Sequence, residues 1–369
     1  MAGSNGYSLT EAGAPSLQRW RRRTARWLVR KAFGASAGMV AQTLLPARGI
    51  HRVLVCHISH TLGNTLLLTP LIRELQRTYP GAEIDVVTRS PVADDIFGAF
   101  AGVRKIYRLP RHGVAAPQRL AGILRSLRTN RYDLAIDPCV RSQSDRVCVM
   151  AARATWKLGY VAAKGGDLSH AIAVPRHVRH IGQLPVHLLR CAIGRADDAT
   201  FPALDIGLTV AERARGREIL RGVLGTERAA NPVVGLFTQA TGAKHLGAEW
   251  WQRFARKLAE IRPDVRIVEI VALAGDSMLD NQYPTFYSTD LRRLASVLSA
   301  LQLFVGADCG VMHLSCAAGT PTFGLFRGTD VAEWGPYGEG NRAIEVGART
   351  PEEIADELRA PAALHSQPA

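Results

Sequence analysis

The run LFVGADCGVMHL, Leu303 to Leu314, joins a buried-strand pattern to a loop of small residues and then to a helix start. A helix opening near Cys309 presents unpaired backbone N–H groups and the positive end of its dipole, and Gly310 lets a ligand come close. That combination suits an anion such as a diphosphate, with His313 one turn further in as an added donor. The same residues also fit a plainer role, with Asp308 as an N-cap and His313 as a satisfied helix histidine. A second strand, Thr322–Phe326, follows after Ala318-Gly319-Thr320-Pro321.

Holding such a loop requires a sheet and flanking helices, and the patterning supplies both along most of the chain. A strand over Arg52–Ile58, a loop from Ser59 to Asn64, a helix over about Thr65–Arg77 and a strand over Glu83–Thr88 make a βαβ unit with an expected right-handed crossover. A strand at Val103–Arg108, a helix at Ala116–Arg128, a strand at Tyr132–Ile136 and a helix at Arg141–Ala152 continue the theme, and Arg176–Gly194 has helix-like spacing. The stretch Asp197–Pro202 then breaks the pattern. A second series has helices at Thr209–Leu224, Ala248–Ile261 and Asp290–Leu301, with strands at Pro232–Phe237 and Val265–Ala272. The expected division is a basic extension and connector (1–49), two Rossmann-like domains (50–205 and 206–345), and a C-terminal helix and tail (346–369). Loops 59–64 and 307–310 should then face the cleft between the lobes.

Composition narrows the class. At 47% hydrophobic and 21% charged residues the chain has ample material for ordinary globular cores. No apolar run approaches the roughly 20 residues of a membrane span, and the polar start leads us to expect no signal peptide. Six cysteines without CxxC or zinc spacing indicate reduced thiols and a cytoplasmic setting, with no metal site expected. Net charge is +14, and residues 17–31, LQRWRRRTARWLVRK, hold seven basic residues and no acidic one. On a helix, Leu17, Trp20, Thr24, Trp27 and Leu28 form one stripe and the arginines cover the rest, the pattern of an interfacial helix for anionic lipid. A basic helix docked on the protein's own surface, or a disordered arm, fits the same residues. No nucleic-acid-binding motif accompanies the basic stretch, so no nucleic-acid partner is expected. The sequence contains no GxxxxGK[ST], HExxH or GxSxG, and no GxGxxG at a strand–helix junction.

Several segments together resemble glycosyltransferase family 9, the ADP-heptose:lipopolysaccharide heptosyltransferases. They are LGNTLLLTPLIREL, YPGAEIDVVT, YDLAIDPCVRSQS, GAKHLGAEWWQRFARKLA and VGADCGVMHLSCAAGTPTFGLFRGTDVAEWGPYG, which span most of 50–345 in order. The resemblance implies an α/β GT-B fold, two Rossmann-like lobes whose parallel sheets face an inter-lobe cleft, with acceptor on the first and sugar nucleotide on the second. It implies metal-independent, inverting transfer of heptose or a related sugar, with ADP-heptose as donor, a lipopolysaccharide-core or similar lipid-linked glycan as acceptor, and no further cofactor. Such an enzyme would work at the cytoplasmic face of the inner membrane, with residues 17–31 on the lipid surface.

Matched residue by residue, Asp308, Cys309, Gly310 and His313 should surround the phosphates and sugar, and Lys244 should contact the phosphates. Thr238 and Thr241 are lesser candidates for donor hydrogen bonds. Cys309 stands where relatives usually have Thr or Ser. Relatives carry their proposed base, an aspartate, directly after the first-loop glycine, and here that position is Asn64. An amide cannot take a full proton near neutral pH. The base could instead be His60, His57, Asp94 or Asp95. Alternatively, Asn64 positions an acceptor whose proton goes to its own acidic group or to the departing phosphate, or the chain binds sugar nucleotide without turnover. Glu269 or Asp276 could replace an acidic contact to the ribose. Arg89, Arg104, Lys105, Arg108, Arg111 and Arg141 would suit an anionic acceptor bearing Kdo and phosphate groups, with Ser142, Gln143 and Ser144 as sugar-hydroxyl partners. If residues 17–31 bind lipid, deleting residues 1–31 is expected to abolish co-sedimentation with anionic liposomes.

Overall fold

The computed structural model describes residues 43–110, 116–161, 168–198, 200–225, 231–272 and 276–359. The expected lipid-binding stretch 17–31 and Arg111 lie outside the described residues. Strands β1 (Arg52–Cys56), β2 (Glu83–Thr88), β3 (Val103–Arg108), β4 (Arg131–Asp137), β5 (Arg153–Tyr160) and β6 (His170–Ile172) form one sheet in the order β3-β2-β1-β4-β5-β6. Strands β7 (Val233–Phe237), β8 (Arg266–Ile270), β9 (Thr285–Phe286), β10 (Leu303–Ala307), β11 (Thr322–Phe326) and β12 (Arg342–Glu345) form the other, in the order β12-β11-β10-β7-β8-β9. Every pairing is parallel. The two sheets therefore share one doubly wound topology, and each central strand is an apolar run buried on both faces.

In both sheets the strand order reverses at one place, between β1 and β4 in the first and between β7 and β10 in the second. A crevice opens there beyond the strands' carboxyl ends. The loops that carry Lys244, Asp308, His60 and Asn64 all leave strands at these two points. Register fixes their height: Val55 pairs with Val86 on one side and Ile136 on the other.

The single helix expected over Thr65–Arg77 is two, α1 (Leu62–Leu66) and α2 (Thr69–Thr78). Pro70 in the first turn of α2 has no N–H to donate to Leu66, so the ladder breaks before it. The Thr69 hydroxyl donates to the Leu66 carbonyl instead, at 2.7 Å. The short α1 is thereby released to point toward the second lobe. The first lobe continues with α3 (Ala93–Phe97), α4 (Pro117–Thr129), α5 (Gln143–Ala151) and α6 (Leu184–Ala192). Only that last part of the expected Arg176–Gly194 segment is helical, beginning where Pro185 suits a first turn. The second lobe holds α7 (Val210–Leu224), α8 (Ala248–Ile261), α9 (Leu291–Leu298), α10 (Gly310–Ala318), α11 (Val331–Trp334) and α12 (Pro351–Asp356). Strands β5, β6, β9 and β12 were not expected. β5 alternates exposed Arg153 and Thr155 with half-buried positions, and β9 is only two residues long.

The lobes are tied by polar contacts on either side of the chain crossing. Arg292 on α9 donates from Nη1 to the carbonyls of Asp95 (2.7 Å) and Ile206 (3.1 Å), and from Nη2 to that of Gly207 (3.1 Å). It also pairs with Glu212, and its hydrogen bonds pull that carboxyl down to about 2. On the return, Ile181 N donates to Glu333 O at 3.0 Å and the Tyr337 hydroxyl donates to Pro202 O at 2.5 Å. Helix α12 is held on α8 by the Arg253–Glu352 pair, 2.8 Å and 2.9 Å. Among the described residues no helix is long and apolar enough to cross a membrane.

Helices α7 and α9 touch backbone to backbone: a Cβ on Gly216 would fall 1.9 Å from the carbonyl oxygen of Ser296. Backbone cannot step aside as a side-chain tip can. Gly216→Ala is therefore expected to lower unfolding stability by about 1–3 kcal/mol in urea denaturation; an unchanged midpoint would mean the two helices are not packed this closely.

Candidate active site

The second-lobe side is built by three segments. Extended backbone at Cys309 (φ −157, ψ 174) turns β10 into α10 without a side-chain cap hydrogen bond, so no side-chain oxygen occupies the helix's first N–H groups. The Cys309 thiol faces the amides of Val311 and Met312, and burial pushes its pKa up to about 11, so it remains a neutral thiol. Asp308 does not cap the helix. It is 4% exposed, and its Oδ2 lies 2.6 Å from Lys244 Nζ, a contact that is short but off the hydrogen-bonding direction. Lys244 closes a short 3-10 turn, Gly242–Lys244, on the loop after β7, so an ammonium stands beside the amino end of α10. Its side chain is 36% exposed. An ion pair with one open partner is worth little, so an incoming diphosphate can compete for Lys244.

The other donor-side candidates are placed differently. Thr241 is exposed at the start of the 3-10 turn with no cap hydrogen bond. Thr238 is buried and donates its hydroxyl to Glu269 at 3.0 Å. Glu269 also accepts from Ser277 Oγ (2.5 Å) and Met278 N (3.0 Å). It is 1% exposed, so this carboxylate shapes the 277–281 turn from inside and is not turned out to a ribose. Asp276 is exposed, next to Gln239, which donates to its carbonyl.

The first lobe meets this arrangement directly. A Cβ on Gly63 would fall 2.9 Å from His313 Cδ2 and 3.5 Å from Gly310 Cα. A Cβ on Gly310 would fall 3.0 Å from Leu62 Cβ and 3.2 Å from Gly63 N. The two β–α loops of the two lobes therefore touch through bare backbone. Asn64 sits half-buried in α1 beside that contact, with no side-chain hydrogen bond to the described residues. His60 is exposed on the same loop. His57 is buried at the end of β1, its Nδ1 without a partner. Asp94 and Asp95 sit on α3 after β2; Asp94 pairs with Arg108, and Asp95 gives its carbonyl to Arg292.

On the acceptor side, Ser142 is spoken for as the N-cap of α5, accepting from Asp145 N at 3.3 Å. Sequence reasoning missed Asp145, which reaches back from α5 to accept from Ile58 N at 2.9 Å and so fixes the first loop. The Ser-x-x-Asp spacing before α5 was its available signal. Asp137 at the end of β4 is fully buried, and burial raises its carboxyl to about 6 against the opposing pull of Arg146, 2.6 Å away.

Two doubly wound lobes meeting through their switch-point loops form a GT-B architecture, with an ammonium at a helix amino end. The sequence model of glycosyltransferase family 9 (heptosyltransferase) matches residues 120–359, and the chain belongs to that family. The match begins after the first loop, so His60 and Asn64 lie outside it. No curated protein matches the chain. Among solved structures, a glycosyltransferase family 9 protein from Veillonella parvula superimposes with a TM-score of 0.67 at 16% identity, over 88% of this chain and 91% of that one. E. coli heptosyltransferase WaaC, solved with ADP, gives 0.65 at 19% identity over 83% and 98%. E. coli ADP-heptose lipopolysaccharide heptosyltransferase II gives 0.63 at 17% identity over 83% and 97%. At these identities the likeness is one of fold.

Two buried histidines, His313 and His180, line the lobe contact, and burial lowers the pKa of both. His313 falls to about 4, through burial first and with the Lys244 charge, against Asp308. His180 is also lowered by burial; it donates from Nε2 to Gly335 O (2.8 Å) while Nδ1 accepts from Gly182 N (3.1 Å), which requires the neutral ring. Unfolded, these rings titrate near 6.5, so between 6.5 and about 4 the unfolded chain binds more protons than the folded one. The contribution of these rings to stability should therefore be flat above pH 6.5 and fall as pH drops from there, while Asp137, raised to about 6, works in the opposite direction below that pH. His313→Asn should flatten part of that slope in thermal unfolding scans; an identical slope would count against a neutral buried ring.

Proposed function

We propose that the protein transfers heptose or a closely related sugar from a nucleoside-diphosphate donor, ADP-heptose first among them, to an anionic lipid-linked glycan of the lipopolysaccharide-core type. The contact of Lys244 with Asp308 beside the open amino end of α10 carries this reading. The donor diphosphate lies across the amides of Gly310 and Val311 and draws Lys244 onto its oxygens, with Cys309 and the neutral His313 against the phosphates and sugar. An acceptor hydroxyl on the first lobe attacks the anomeric carbon from the side opposite the diphosphate. The carbon–oxygen bond to the diphosphate breaks, its electron pair leaves with the phosphate, and the configuration inverts. Lys244 and the helix amides meet the negative charge that grows on the leaving group, a role that asks for no metal. Asn64 positions the attacking hydroxyl, and its proton passes to His60, the exposed imidazole on the same loop. The work takes place at the cytoplasmic face of the inner membrane, with residues 17–31 on the lipid.

The test is a thermal-shift panel of ADP, UDP, GDP and ADP-heptose, coupled to a transfer assay. Lys244→Ala should erase nucleotide-induced stabilisation and cut turnover by about 10²–10³-fold; full activity in that variant would sink the reading. Asn64→Asp separates two possibilities at the first loop. Increased turnover would mark the amide as a loss at the base position, and reduced turnover would give the amide a positioning role of its own.

A further inference from the structure

Besides the α10 terminus, buried polar atoms without partners occur on two adjacent segments of the first lobe. Arg89 Nε, Ser90 Oγ and His57 Nδ1 are buried and make no hydrogen bond. All three follow the cleft-facing ends of β1 and β2, whose register pairs Cys56 with Val87. Backbone bonds from His57 N to Val87 O (2.9 Å) and from Arg89 N to Ser59 O (3.2 Å) hold these segments side by side. Ser90 is 0% exposed and His57 9%. Such groups in a folded protein call for a partner that the chain does not supply.

The chemistry of that partner follows from the donors. A guanidinium Nε–H can only donate and stays charged at any accessible pH, while a hydroxyl and a neutral imidazole can donate as well. Asp145, which accepts from Ile58 N, already sets a negative charge near His57, so an anionic acceptor is called for by Arg89, with Ser90 as a further donor. The neighbouring basic groups of this lobe are already engaged. Arg104 holds Asp85 and Glu83, Arg108 holds Asp94, Arg146 holds Asp137, and Lys105 lies over the Tyr107 ring. Arg89 makes no ion pair among the described residues. Arg141, exposed on the loop after β4, adds a second positive charge on the other side of β1.

We propose that Arg89, with Ser90 and His57 beside it, is the receptor for an acidic group on the acceptor, a carboxylate or a phosphate, and so selects the acceptor by charge. This rests on the first lobe being the acceptor side. Arg89 grips the acceptor away from the reacting hydroxyl and is a determinant of specificity.

The test uses the full chain saturated with ADP and titrated by calorimetry with inorganic phosphate and, separately, with the sugar acid Kdo. At least one anion should bind, Arg89→Ala should weaken it by about tenfold or more, and Arg89→Lys should fall between, since it keeps the charge but loses the Nε–H. Whichever of the two anions binds more tightly identifies the acidic group. The proposal is overturned if neither anion binds the unaltered protein, or if Arg89→Ala binds as well as it does. Stabilisation by ADP, read on the same variants, reports on the second lobe alone. Its absence in the unaltered protein would sink the glycosyltransfer reading, while the Arg89 dependence of anion binding would still be measurable.

Discussion

The geometry of this protein depends on two backbones from different lobes meeting where neither carries a side chain. Gly63 and Gly310 lie so close that a Cβ on either would crowd the other's loop, and His313 stands against the same spot. That contact sets how far the lobes can close and which groups face each other across the cleft. The break between α1 and α2 lets the first loop reach the second lobe. Arg292 fixes the crossing point of the chain, and His180 ties the returning segment through Gly335. Lys244 and Asp308 then find themselves beside the helix terminus that the first loop borders.

Electrostatics follow from that closeness. Packing the lobes together removes water from the histidines, which holds them neutral, and it keeps Cys309 a thiol. Among the described residues eight buried side-chain polar atoms lack an aligned hydrogen bond, and five of them belong to His57, Arg89, Ser90, Asp308 and His313. Elsewhere the described interior is satisfied almost throughout, with the Glu74–Arg190 pair and the Glu269 cluster as examples. Unmet polar capacity is thus concentrated on the two facing loops, where a ligand would complete it.

Much of the architecture could be read in advance because it is local. Central strands such as VVGLF and LFVGA are buried on both faces and therefore carry unbroken apolar runs. Thr209 with Glu212 announces a capping box, and the helix begins where those residues say it should. The edge strands β6, β9 and β12 escape a periodicity reading because an edge tolerates polar residues or only a few paired ones, and β5, one place in from the edge, escapes it because its first five residues are exposed or half-buried. The expected single helix after the first loop is two, because Pro70 reads equally well as an interior kink or a new start.

By itself, the sequence determined the two α/β lobes, the strand–loop–helix units at their centres and the residue types at the anion-binding helix, since these depend on periodicity and short-range chemistry. Only the tertiary structure decided which of those residues share a space. Asp308 holds Lys244 across more than sixty positions of chain and leaves the cap unmade, Thr238 turns inward to Glu269, and Arg89 is left without a counter-charge while its neighbours are paired. Partnership of this kind is settled by which loops the two sheets bring to one end and by how much water their contact excludes. Neither quantity is carried by any stretch of residues read alone.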